Sequence, residues 1–557
     1  MNVKPLAALS LLVLSALAGG CGSSSGGGGG GGAGTGATGG AGATGGGGGT
    51  SGPPPTTCTE PLTLVDTSTP DHVVGTGTAA SCTGAALQTA AALGGKITFS
   101  CGGPATIAVG KTIDLPTGVD TTIDGGGNIT LDGGGKVRIL SFNYDNYRTN
   151  HVTVTLQRLT LQNGHSTGTA IPTAPAPCSQ GTQNDGSGSA IYVNDGILHV
   201  ISSTFSGNQA PPLGPDVGGA VYAGASLGVV VQGSTFTNNT GSNGGAIYML
   251  NSDLQVVNSV FSGNKAIGTG GNNIDTSQCS AGGGEIGSGG GSAAIAIDGG
   301  DDGDDTFCGY SFTSNQANEL GGAVLRTPDG AQRTTTFNLC SFDGNKASAD
   351  GSSNGGGGAL YFHNSNLVIT GSTFSGNSSL SSGAIQADGT TFDFTNVTFS
   401  GNTATNGLGG ALALFGNGGT IVNCTFADNT SPGGSGLFAA AIAGGTALTI
   451  RNTIFSENTD QDCGAPMACQ DGSSTGDGNI QWPMAHVVCA TADTKCTPTT
   501  TFADAMLGPL QDNGGATKTQ VPGAGSPALG VGVNCPATDQ RGMPRQKNGC
   551  AAGAVEP

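Results

Sequence analysis

A pattern of apolar and polar positions repeats along the middle of the chain, marked by a Phe and by an Asn three residues later. Two apolar residues stand seven and five places before most of these Phe residues, as Val229 and Val231 do before Phe236. After most copies comes Gly-Gly-Ala followed by an aliphatic residue, as in residues 244–247. Each repeat thus holds three short runs with a period of two, which predicts three strands separated by turns.

The Phe-x-x-Asn step occurs nine times, at Phe205/Asn208, Phe236/Asn239, Phe261/Asn264, Phe312/Asn315, Phe342/Asn345, Phe374/Asn377, Phe399/Asn402, Phe426/Asn429 and Phe455/Asn458. Neighbouring copies are 25 to 32 residues apart, except for the 51 residues between the third and the fourth. We interpret that long interval as two turns, one of them degenerate. A sustained period in this range is typical of a solenoid.

One such repeat cannot bury its apolar side alone, whereas stacked repeats align like strands in parallel and enclose a continuous core. The predicted fold is therefore all-β, a parallel β-helix of about a dozen coils between Lys96 and Asp460. We expect the repeat Asn at a tight turn, where it adopts the left-handed backbone region and forms a ladder with the Asn of the next coil. The Gly-Gly step is expected to supply positive φ at another corner.

Both ends of the repeat region need covers, because open strand edges promote aggregation. Residues 82–93 form the one good short helix of the sequence and are expected to cap the first coil. From residue 461 onward the repeat is lost while Cys and Pro become frequent, which indicates an irregular cap. We divide the chain into a signal peptide (1–20), a tether (21–57), an N-terminal cap (58–95), the β-helix (96–460) and a C-terminal capping module (461–557).

The first twenty residues carry the features of an export signal, with Lys4, a short apolar run at residues 6–17, and small residues before Cys21. Small residues directly before a Cys resemble the lipobox of bacterial lipoproteins, which implies acylation of Cys21; the alternative is ordinary secretion. Residues 22–52 are almost entirely Gly, Ser, Ala and Thr, as in a flexible tether. We expect an exported, lipid-anchored protein, on the outer membrane and facing the cell surface or the extracellular space.

Composition supports this interpretation. The 557 residues include 106 Gly and only 10% charged residues, which disfavours long helices, and the net charge of −19 without a basic cluster disfavours nucleic acid as a partner. Acylation of Cys21 would leave fourteen of fifteen Cys, an even number that suggests disulfides in an exported chain. Plausible bridges are Cys463/Cys469, Cys489/Cys496 and Cys535/Cys550. Cys340 and Cys424 both stand two places before a repeat Phe, about 14 Å apart, so we predict two buried free thiols.

The repeats F-x-x-N and GGA-[IVL] resemble those of polymorphic outer-membrane proteins. The opening CTGAALQTAAALGGKITFSCGGPATI and TTIDGGGNITLDGGG resemble right-handed β-helix proteins of the pectin-lyase-like superfamily. The ending, from LGPLQDNGGATKTQVPGAGSPALGVG to AAGAVEP, is similar to the closing module of "choice-of-anchor" exported proteins. Together these resemblances cover residues 58–557 and imply a surface-exposed right-handed β-helix.

Pectin-lyase-like folds also host lyases and hydrolases, so the resemblance leaves an enzyme as an alternative. The densest acidic segment holds Asp298, Asp301, Asp302, Asp304 and Asp305, whose oxygens could ligate Ca²⁺; a solvated acidic loop is the alternative. The nearest downstream base is Arg326. Asn458-Thr459-Asp460 echoes a galacturonase step, but the carboxylate pair, Gly-His-Gly and Arg-x-Lys that accompany this step in such enzymes do not follow it as a set. One Trp and seven Tyr offer few platforms for stacking sugars.

The sequence therefore favours a surface-anchored lipoprotein whose β-helix acts as an adhesin-like display rod or spacer, with contacts made by the loops at 165–188 and 265–308. We assign no catalytic residue and no required cofactor, with Ca²⁺ as the one candidate ion. Expected partners are the membrane, through the lipid on Cys21, and a cell-surface protein or glycan; the chain is expected to be monomeric. The alternative is a polysaccharide lyase or glycoside hydrolase.

Overall fold

The computed structural model describes residues 58–557 except 169–185, 213–216, 270–288, 300–302, 329–331, 349–354, 390, 433–438, 462, 464, 471–473 and 487–488. Within the described residues the chain is an all-β, right-handed parallel β-helix with one α-helix. The predicted fold class is confirmed. Each regular coil runs through two strands of a large sheet 1, a two-residue strand of sheet 3 and a strand of sheet 2.

Sheet 1 contains two columns of strands, joined through the long strands Thr121–Asp132 and Thr153–Gln162, which take part in both. The leading column also contains His72–Val74, Gly95–Phe99, Ile197–Ile201, Gly228–Gln232, Leu254–Val257, Asp305–Cys308, Arg333–Asn338, Ser365–Thr370, Thr391–Thr395, Gly418–Val422 and Thr449–Arg451. The Phe column also contains Ala105–Ala108, Thr204–Ser206, Thr235–Thr237, Val260–Ser262, Ser311–Thr313, Ser341–Asp343, Thr373–Ser375, Thr398–Ser400, Thr425–Ala427, Ile454–Ser456, Ile480–Trp482 and Thr501–Phe502.

The two smaller sheets complete the coil. Sheet 2 consists of Ile113–Asp114, Leu140–Asn143, Ile191–Asn194, Val221–Gly224, Ile247–Leu250, Ile295–Gly299, Val324–Pro328, Leu360–His363, Ile385–Asp388, Leu412–Phe415 and Ile442–Ala443. Sheet 3 consists of Thr240–Gly241, Lys265–Ala266, Gln316–Ala317, Lys346–Ala347, Ser378–Ser379, Thr403–Ala404, Thr430–Ser431 and Thr459–Asp460. The sequence predicted three strands per repeat, and the short sheet 3 strand is the one that it missed.

The repeat Phe side chains form one stack inside the coil. Each Phe pairs in parallel register with the Phe of the next coil, from Phe205 to Phe455. Neighbouring rings are stacked in nearly parallel planes, with centroids 4.4 Å apart at Phe342 and Phe374. All nine are at most 1% exposed. Since burying such a side chain is worth about 1.5–3 kcal/mol, the stack is a major source of stability.

The 51-residue interval between Phe261 and Phe312 is one coil and not two, so that prediction was wrong. Val260–Ser262 pairs directly with Ser311–Thr313, and Lys265 pairs with Gln316 in sheet 3. The additional residues lie between sheet 3 and sheet 2, where an insertion leaves the parallel register on either side unchanged. Periodicity cannot distinguish a degenerate coil from a long loop, because both lengthen the interval.

The repeat Asn residues form a buried ladder, and this part of the prediction is confirmed. The Nδ2 of Asn315 donates to the Oδ1 of Asn345 at 2.9 Å, and this Oδ1 also accepts the backbone N–H of Asn315 at 3.1 Å. The same two hydrogen bonds join every consecutive pair from Asn208 to Asn458. All nine side chains are at most 1% exposed, so they serve the core and offer no contact to a partner.

The expected left-handed backbone of the repeat Asn, by contrast, was wrong. A positive φ belongs to the residue before the ladder Asn, such as Gly344 at 62° or Asn238 at 53°. The turn and the ladder are therefore the tasks of two consecutive residues, because the ladder Asn must direct its side chain inward to meet the next coil. This correction applies to every repeat Asn, namely Asn208, Asn239, Asn264, Asn315, Asn345, Asn377, Asn402, Asn429 and Asn458.

The Gly-Gly step meets two separate needs. In three coils the first Gly has a positive φ, as Gly244 does at 54°. The second Gly lies against the backbone of the next coil, where a Cβ on Gly322 would stand 2.0 Å from the carbonyl oxygen of Gly358. The first position therefore needs conformational freedom and the second needs the absence of a side chain.

The helix α1 (Gly84–Ala91) lies where the sequence places an N-terminal cap. Thr83 caps its first turn by accepting the backbone N–H of Ala86, and Leu87 is fully buried against the first coils. A disulfide joins Cys82 to Cys101 beside the helix. No helix among the described residues is long and apolar enough to cross a membrane.

Residues 58–68, here named the N-terminal strap, run across several coils. The carboxamide of Gln157 exchanges two hydrogen bonds with the backbone of Val65, and the carboxamide of Gln232 does the same with Leu62. At its start, a disulfide links Cys58 to Cys308 in the leading column. The strap therefore ties the beginning of the described chain to the middle of the stack.

After residue 460 the chain first closes the end of the stack and then folds back along its side. Ile480–Trp482 and Thr501–Phe502 add two strands to the Phe column. The returning segment is fixed by Gln540, which is 1% exposed. Its Nε2 donates to the Oγ1 of Thr373 at 2.7 Å, and its Oε1 accepts the Oγ1–H of Thr398 at 2.7 Å.

The disulfides of this module differ in part from those expected. The bond Cys535–Cys550 is confirmed, whereas the expected Cys463/Cys469 and Cys489/Cys496 pairs were wrong. The structure joins Cys463 to Cys489 and Cys469 to Cys496. Each of the two bonds joins neighbouring turns of the chain. The bonded partner of each Cys is therefore not the Cys that is nearest in sequence.

Cys340 and Cys424 are free and fully buried, as predicted. Each faces the core two places before a repeat Phe, in a position that four other coils fill with Ser. Burial raises the pKa of both thiols to about 12. Since the thiolate is the reactive form, these groups are structural.

Candidate functional site

The acidic segment around Asp301 was the only metal candidate in the sequence, and the structure describes three of its five carboxylates. Asp301 and Asp302 lie outside the described residues. Asp298 accepts the hydroxyl of Thr327 at 3.0 Å, and Asp304 accepts a backbone N–H at 2.8 Å. Both carboxylates are thus already hydrogen-bonded, and Ca²⁺ binding by this segment stays a prediction.

Asp305 behaves differently from its neighbours. Its side chain points into the coil and forms an ion pair with Arg326, and both side chains are 0% exposed. The pair spans the core from the leading column of sheet 1 to sheet 2, at levels that neighbouring coils fill with apolar residues such as Ile297 and Phe362. A guanidinium enclosed in this way cannot reach a polysaccharide, so Arg326 is not a catalytic base at the surface.

A polar groove that the sequence did not reveal lies on the first coils. Its cavity of about 370 Å³ is lined by residues 98–103 and 125–126, by Thr67 of the strap and by Asp124 and Arg158. Burial acts to raise the pKa of Asp124, but hydrogen bonds from Arg158 and Thr67 and others outweigh it and hold that pKa below its usual value. The carboxylate is therefore ionised and saturated with donors, which suits a structural anchor better than a general base.

A second buried polar cluster lies in the C-terminal module. Nδ1 of His486 is 2.6 Å from Oδ1 of Asp460, and its Nε2 is 3.8 Å from Oδ1 of Asp493. Burial raises the pKa of Asp493, although hydrogen bonds partly oppose this. The sulfurs of Cys463 and Cys489 also approach the imidazole, but they are joined in a disulfide and so do not act as metal ligands.

The outer face of sheet 2 carries an aromatic stack that the count of aromatic residues did not reveal. Tyr192, Tyr222 and Tyr248 lie on successive coils with ring centroids 4.9 Å and 6.0 Å apart. Arg138 packs over the ring of Tyr192 at 4.9 Å from its centroid. The spacing of these Tyr residues, one per repeat and one place after the first core residue of each sheet 2 strand, is the signal that could have found them.

The lengths of the connections divide the corners of the coil into two kinds. From the leading column to the Phe column, and from there to sheet 3, every regular coil uses two residues, as at 258–259 and 263–264. Between sheet 3 and sheet 2 the connection varies from residues 242–246 to residues 267–294. From sheet 2 to the next leading strand, the connection in the regular coils varies much less, from residue 364 alone to residues 444–448. Because like strands are stacked in register, these variable loops begin and end along a single edge of the β-helix.

Comparisons with known proteins agree with the fold. A family model described as "Right handed beta helix region" matches residues 331–481. The chain is similar to a structure titled "Crystal structure of pectate lyase Pel9A", with a TM-score of 0.33 and 12% identity, over 85% of this chain and 90% of that one. No curated protein matches the chain. The structural likeness is too low to carry an argument about activity.

Proposed function

We propose that this protein is a lipid-anchored surface protein whose β-helix is a rigid, non-catalytic rod that displays variable loops to a cell-surface protein or glycan. The observation that carries the proposal is the concentration of length variation at the corner between sheet 3 and sheet 2. In the regular coils the connection there extends from residues 242–246 to residues 267–294, whereas the corner from sheet 2 to the leading column varies only from residue 364 to residues 444–448. Selection for a rod alone would place insertions at any corner. A row of loops of different lengths along one edge favours a recognition surface supported by a scaffold.

The ion pairs and hydrogen bonds of four acidic residues support a non-catalytic role. Among the described residues, Asp305 and Asp124 are each committed to an arginine, and Asp298 and Asp304 to hydroxyl or backbone donors. A lyase would need a base and carboxylates that a substrate can reach on adjacent coils. The alternative enzyme, for which Asp301 and Asp302 are the candidate carboxylates, serves as the competing outcome of the tests.

The anchoring part of the proposal is supported by the sequence. Small residues before Cys21 and the Gly-rich segment after it are typical of a lipidated N-terminus with a tether. The resemblance of the repeats to polymorphic outer-membrane proteins, and of the ending to choice-of-anchor proteins, also favours a surface location.

Loop exchange tests the display function. Residues 52–557 form one compact unit and supply a fragment that lacks most of the tether. In this fragment, residues 267–294 are replaced by residues 242–246, which make the same connection one coil earlier. The parent fragment is screened against glycan arrays and intact cell surfaces. We expect the exchange to preserve the circular dichroism spectrum and to abolish at least one interaction of the parent. Retention of every interaction would contradict the display role of this loop.

The matched control for this exchange is Asn406→Ala, an exposed substitution in the short connection of another coil. It is expected to retain both the fold and the interactions.

An activity assay decides between display and the alternative enzyme. The fragment is incubated with a panel of polyuronides and neutral glycans, with and without Ca²⁺, and both reducing ends and unsaturated products are measured. We expect no turnover above that of heat-denatured protein. Turnover that disappears in an Asp301→Asn, Asp302→Asn variant would replace the display proposal with a lyase or hydrolase.

The anchor is tested separately in cells. The full chain should fractionate with membranes, and Cys21→Ala should release it to the soluble fraction because the acylation site is lost. Conversion of Ser23 to Ala is the matched control and should leave the distribution unchanged. An unchanged membrane fraction for Cys21→Ala would refute acylation at this residue.

A further inference from the structure

The connection 144–152 carries the two exposed aromatic rings of the described chain. It joins the sheet 2 strand Leu140–Asn143 to the strand Thr153–Gln162 and is longer than the same connection in any regular coil. Tyr144 is 36% exposed and Tyr147 is 52% exposed, whereas the other Phe, Tyr and Trp residues that the structure describes are buried or half-buried. A chain that withdraws its aromatic side chains from water almost everywhere thus places two of them three residues apart on one surface loop.

Arg148 fixes this loop to the coils that follow it. Its side chain is 19% exposed and lies across the corners of two later coils. Nη1 donates to the backbone oxygen of Ser226 at 3.2 Å and to that of Asn251, and Nη2 lies 3.3 Å from Oδ1 of Asp253. The φ of Arg148 is 54°, a conformation disfavoured for a long side chain, so these contacts hold a backbone that would otherwise relax.

A buried carboxylate fixes the loop from the side of the next coil. Asp195 is 0% exposed and accepts the backbone N–H groups of Thr149 and Asn150, each at 3.1 Å. At the other end of the loop, the N–H of Tyr144 donates to the backbone oxygen of Asn194 at 3.0 Å. Because the segment between these contacts is already ordered, a ligand that binds to its rings meets a small entropic cost.

Polar groups surround the two rings. Asp145 and Asn146 lie between them in the sequence, and both are exposed. Beside Tyr144, Asn143 pairs in register with Asn194, whose Nδ2 donates to the Oδ1 of Asn143 at 3.0 Å. This exposed run therefore combines aromatic faces with amide and carboxylate groups, and it contains no basic residue.

We propose that this loop binds the sugar rings of a neutral glycan. The C–H face of a pyranose packs against the ring of a Tyr, while the hydroxyl groups at its rim form hydrogen bonds with amides and carboxylates. The Cα atoms of Tyr144 and Tyr147 are at most about 11 Å apart, so a short oligosaccharide reaches both rings. A glycan that carries carboxylates is disfavoured, because Asp145 is the charged group of the exposed run and Arg148 is already committed to Asp253 and two carbonyl oxygens.

A protein partner fits this surface less well. Protein hot spots enclose their aromatic anchors in a well-packed pocket from which water is excluded. Here amide or carboxylate side chains occupy the other three positions of the exposed run 143–147. Such a run suits hydrogen bonds to the many hydroxyl groups of a sugar.

The inference rests on the proposed display function for its setting at a cell surface, and it deepens that function by naming a neutral glycan as a partner. The loop follows a sheet 2 strand, whereas the variable loops precede these strands. The two sites therefore lie at opposite ends of the sheet 2 strands, and one can fail while the other holds.

Saturation-transfer-difference NMR on the full chain tests the proposal with cellotetraose, laminaritetraose and mannotetraose as probes. Tetragalacturonate is the charged counterpart, and sorbitol supplies hydroxyl groups without a sugar ring. We expect saturable binding of at least one neutral tetraose, and none of sorbitol or tetragalacturonate. Binding of no neutral tetraose, or tighter binding of tetragalacturonate, would overturn the proposal.

Chemical modification locates the bound sugar on the parent chain. Tetranitromethane nitrates exposed tyrosines, so peptide mapping should find Tyr144 and Tyr147 modified before the other Tyr residues. The tetraose that binds should protect both rings at saturation. Unchanged nitration of both rings in its presence would place the sugar elsewhere on the rod.

The decisive variants are Tyr144→Ala and Tyr147→Ala. Each should weaken binding of the tetraose about two- to tenfold, the effect of one lost ring contact, and should keep the circular dichroism spectrum because the side chain is exposed. Tyr147→Phe retains the ring and should bind like the parent. Met484→Ala removes a side chain that is 54% exposed outside the loop, and it should leave binding unchanged.

The exchange of residues 267–294 for residues 242–246 distinguishes this site from the variable loops. It should leave binding of the tetraose unchanged even where it abolishes another interaction of the parent. Loss of tetraose binding in this exchange, together with parent-like binding by Tyr144→Ala and Tyr147→Ala, would assign the sugar to the variable loops and contradict a site at residues 143–147.

Discussion

Substitution of one Asn in the middle of the ladder is expected to destabilise the β-helix strongly. The Asn345 side chain is 0% exposed and takes part in four hydrogen bonds with the coils on either side. In Asn345→Ala, the backbone N–H and the Nδ2 of Asn315 and the carbonyl of Phe312 lose these partners. Each unsatisfied buried group costs about 1–3 kcal/mol, so the expected loss is about 3–5 kcal/mol after local relaxation.

The loss is measured by urea unfolding of the fragment 52–557, followed by circular dichroism, with hydrogen exchange to locate the effect. Exchange should accelerate first in the coils on either side of residue 345. Asn406→Ala, an exposed substitution, serves as the control and should change the free energy of unfolding by less than about 0.5 kcal/mol. If Asn345→Ala matched this control, the ladder would be a consequence of the fold and not a source of its stability.

Three other predictions concern the core and its cover. Arg326→Leu and Asp305→Leu should each destabilise the fragment by about 3–5 kcal/mol in urea, because each leaves a buried charge without its partner, whereas the double variant should recover most of the loss. Cys340 and Cys424 should resist alkylation at pH 8 until the chain unfolds, as measured by peptide mapping. Since unfolded thiols titrate near 9.0 and these have a pKa of about 12, the folded state retains more protons, and stability should fall as pH rises through that window. Gln540→Ala should make the C-terminal module sensitive to limited proteolysis while the coils stay protected; simultaneous digestion of both would contradict the assigned contact.

The core of the fold could be predicted because its periodicity is local. Three strands per repeat can be predicted from a Phe, an Asn three places later and two apolar residues before them. The same spacing predicts which side chains point into the core and that the coils stack in parallel register. Cys340 could be assigned as a buried thiol for the same reason, since its position relative to Phe342 fixes its direction. Each of these inferences uses spacing within one coil.

The features that escaped prediction depend on contacts between segments far apart in sequence. The loop within 267–294 was read as a coil because length alone does not show where register resumes. The pairing of Cys463 with Cys489 depends on how the last turns cross. Gln540 reaches Thr373 and Thr398 only after the C-terminal module has folded back along the coils. No pattern within a single coil encodes that return.

The bond between Cys58 and Cys308 determines how a mechanical load on the N-terminus would enter the molecule. Tension applied upstream of residue 58 passes through this covalent link into the coil of Phe312, at the strand that precedes this residue. The helix α1 and the coils before that strand lie within the closed covalent loop and carry no load. In a chain whose disulfides have been reduced, the same tension would first strip the strap from Gln232 and Gln157 and then pull on the cap.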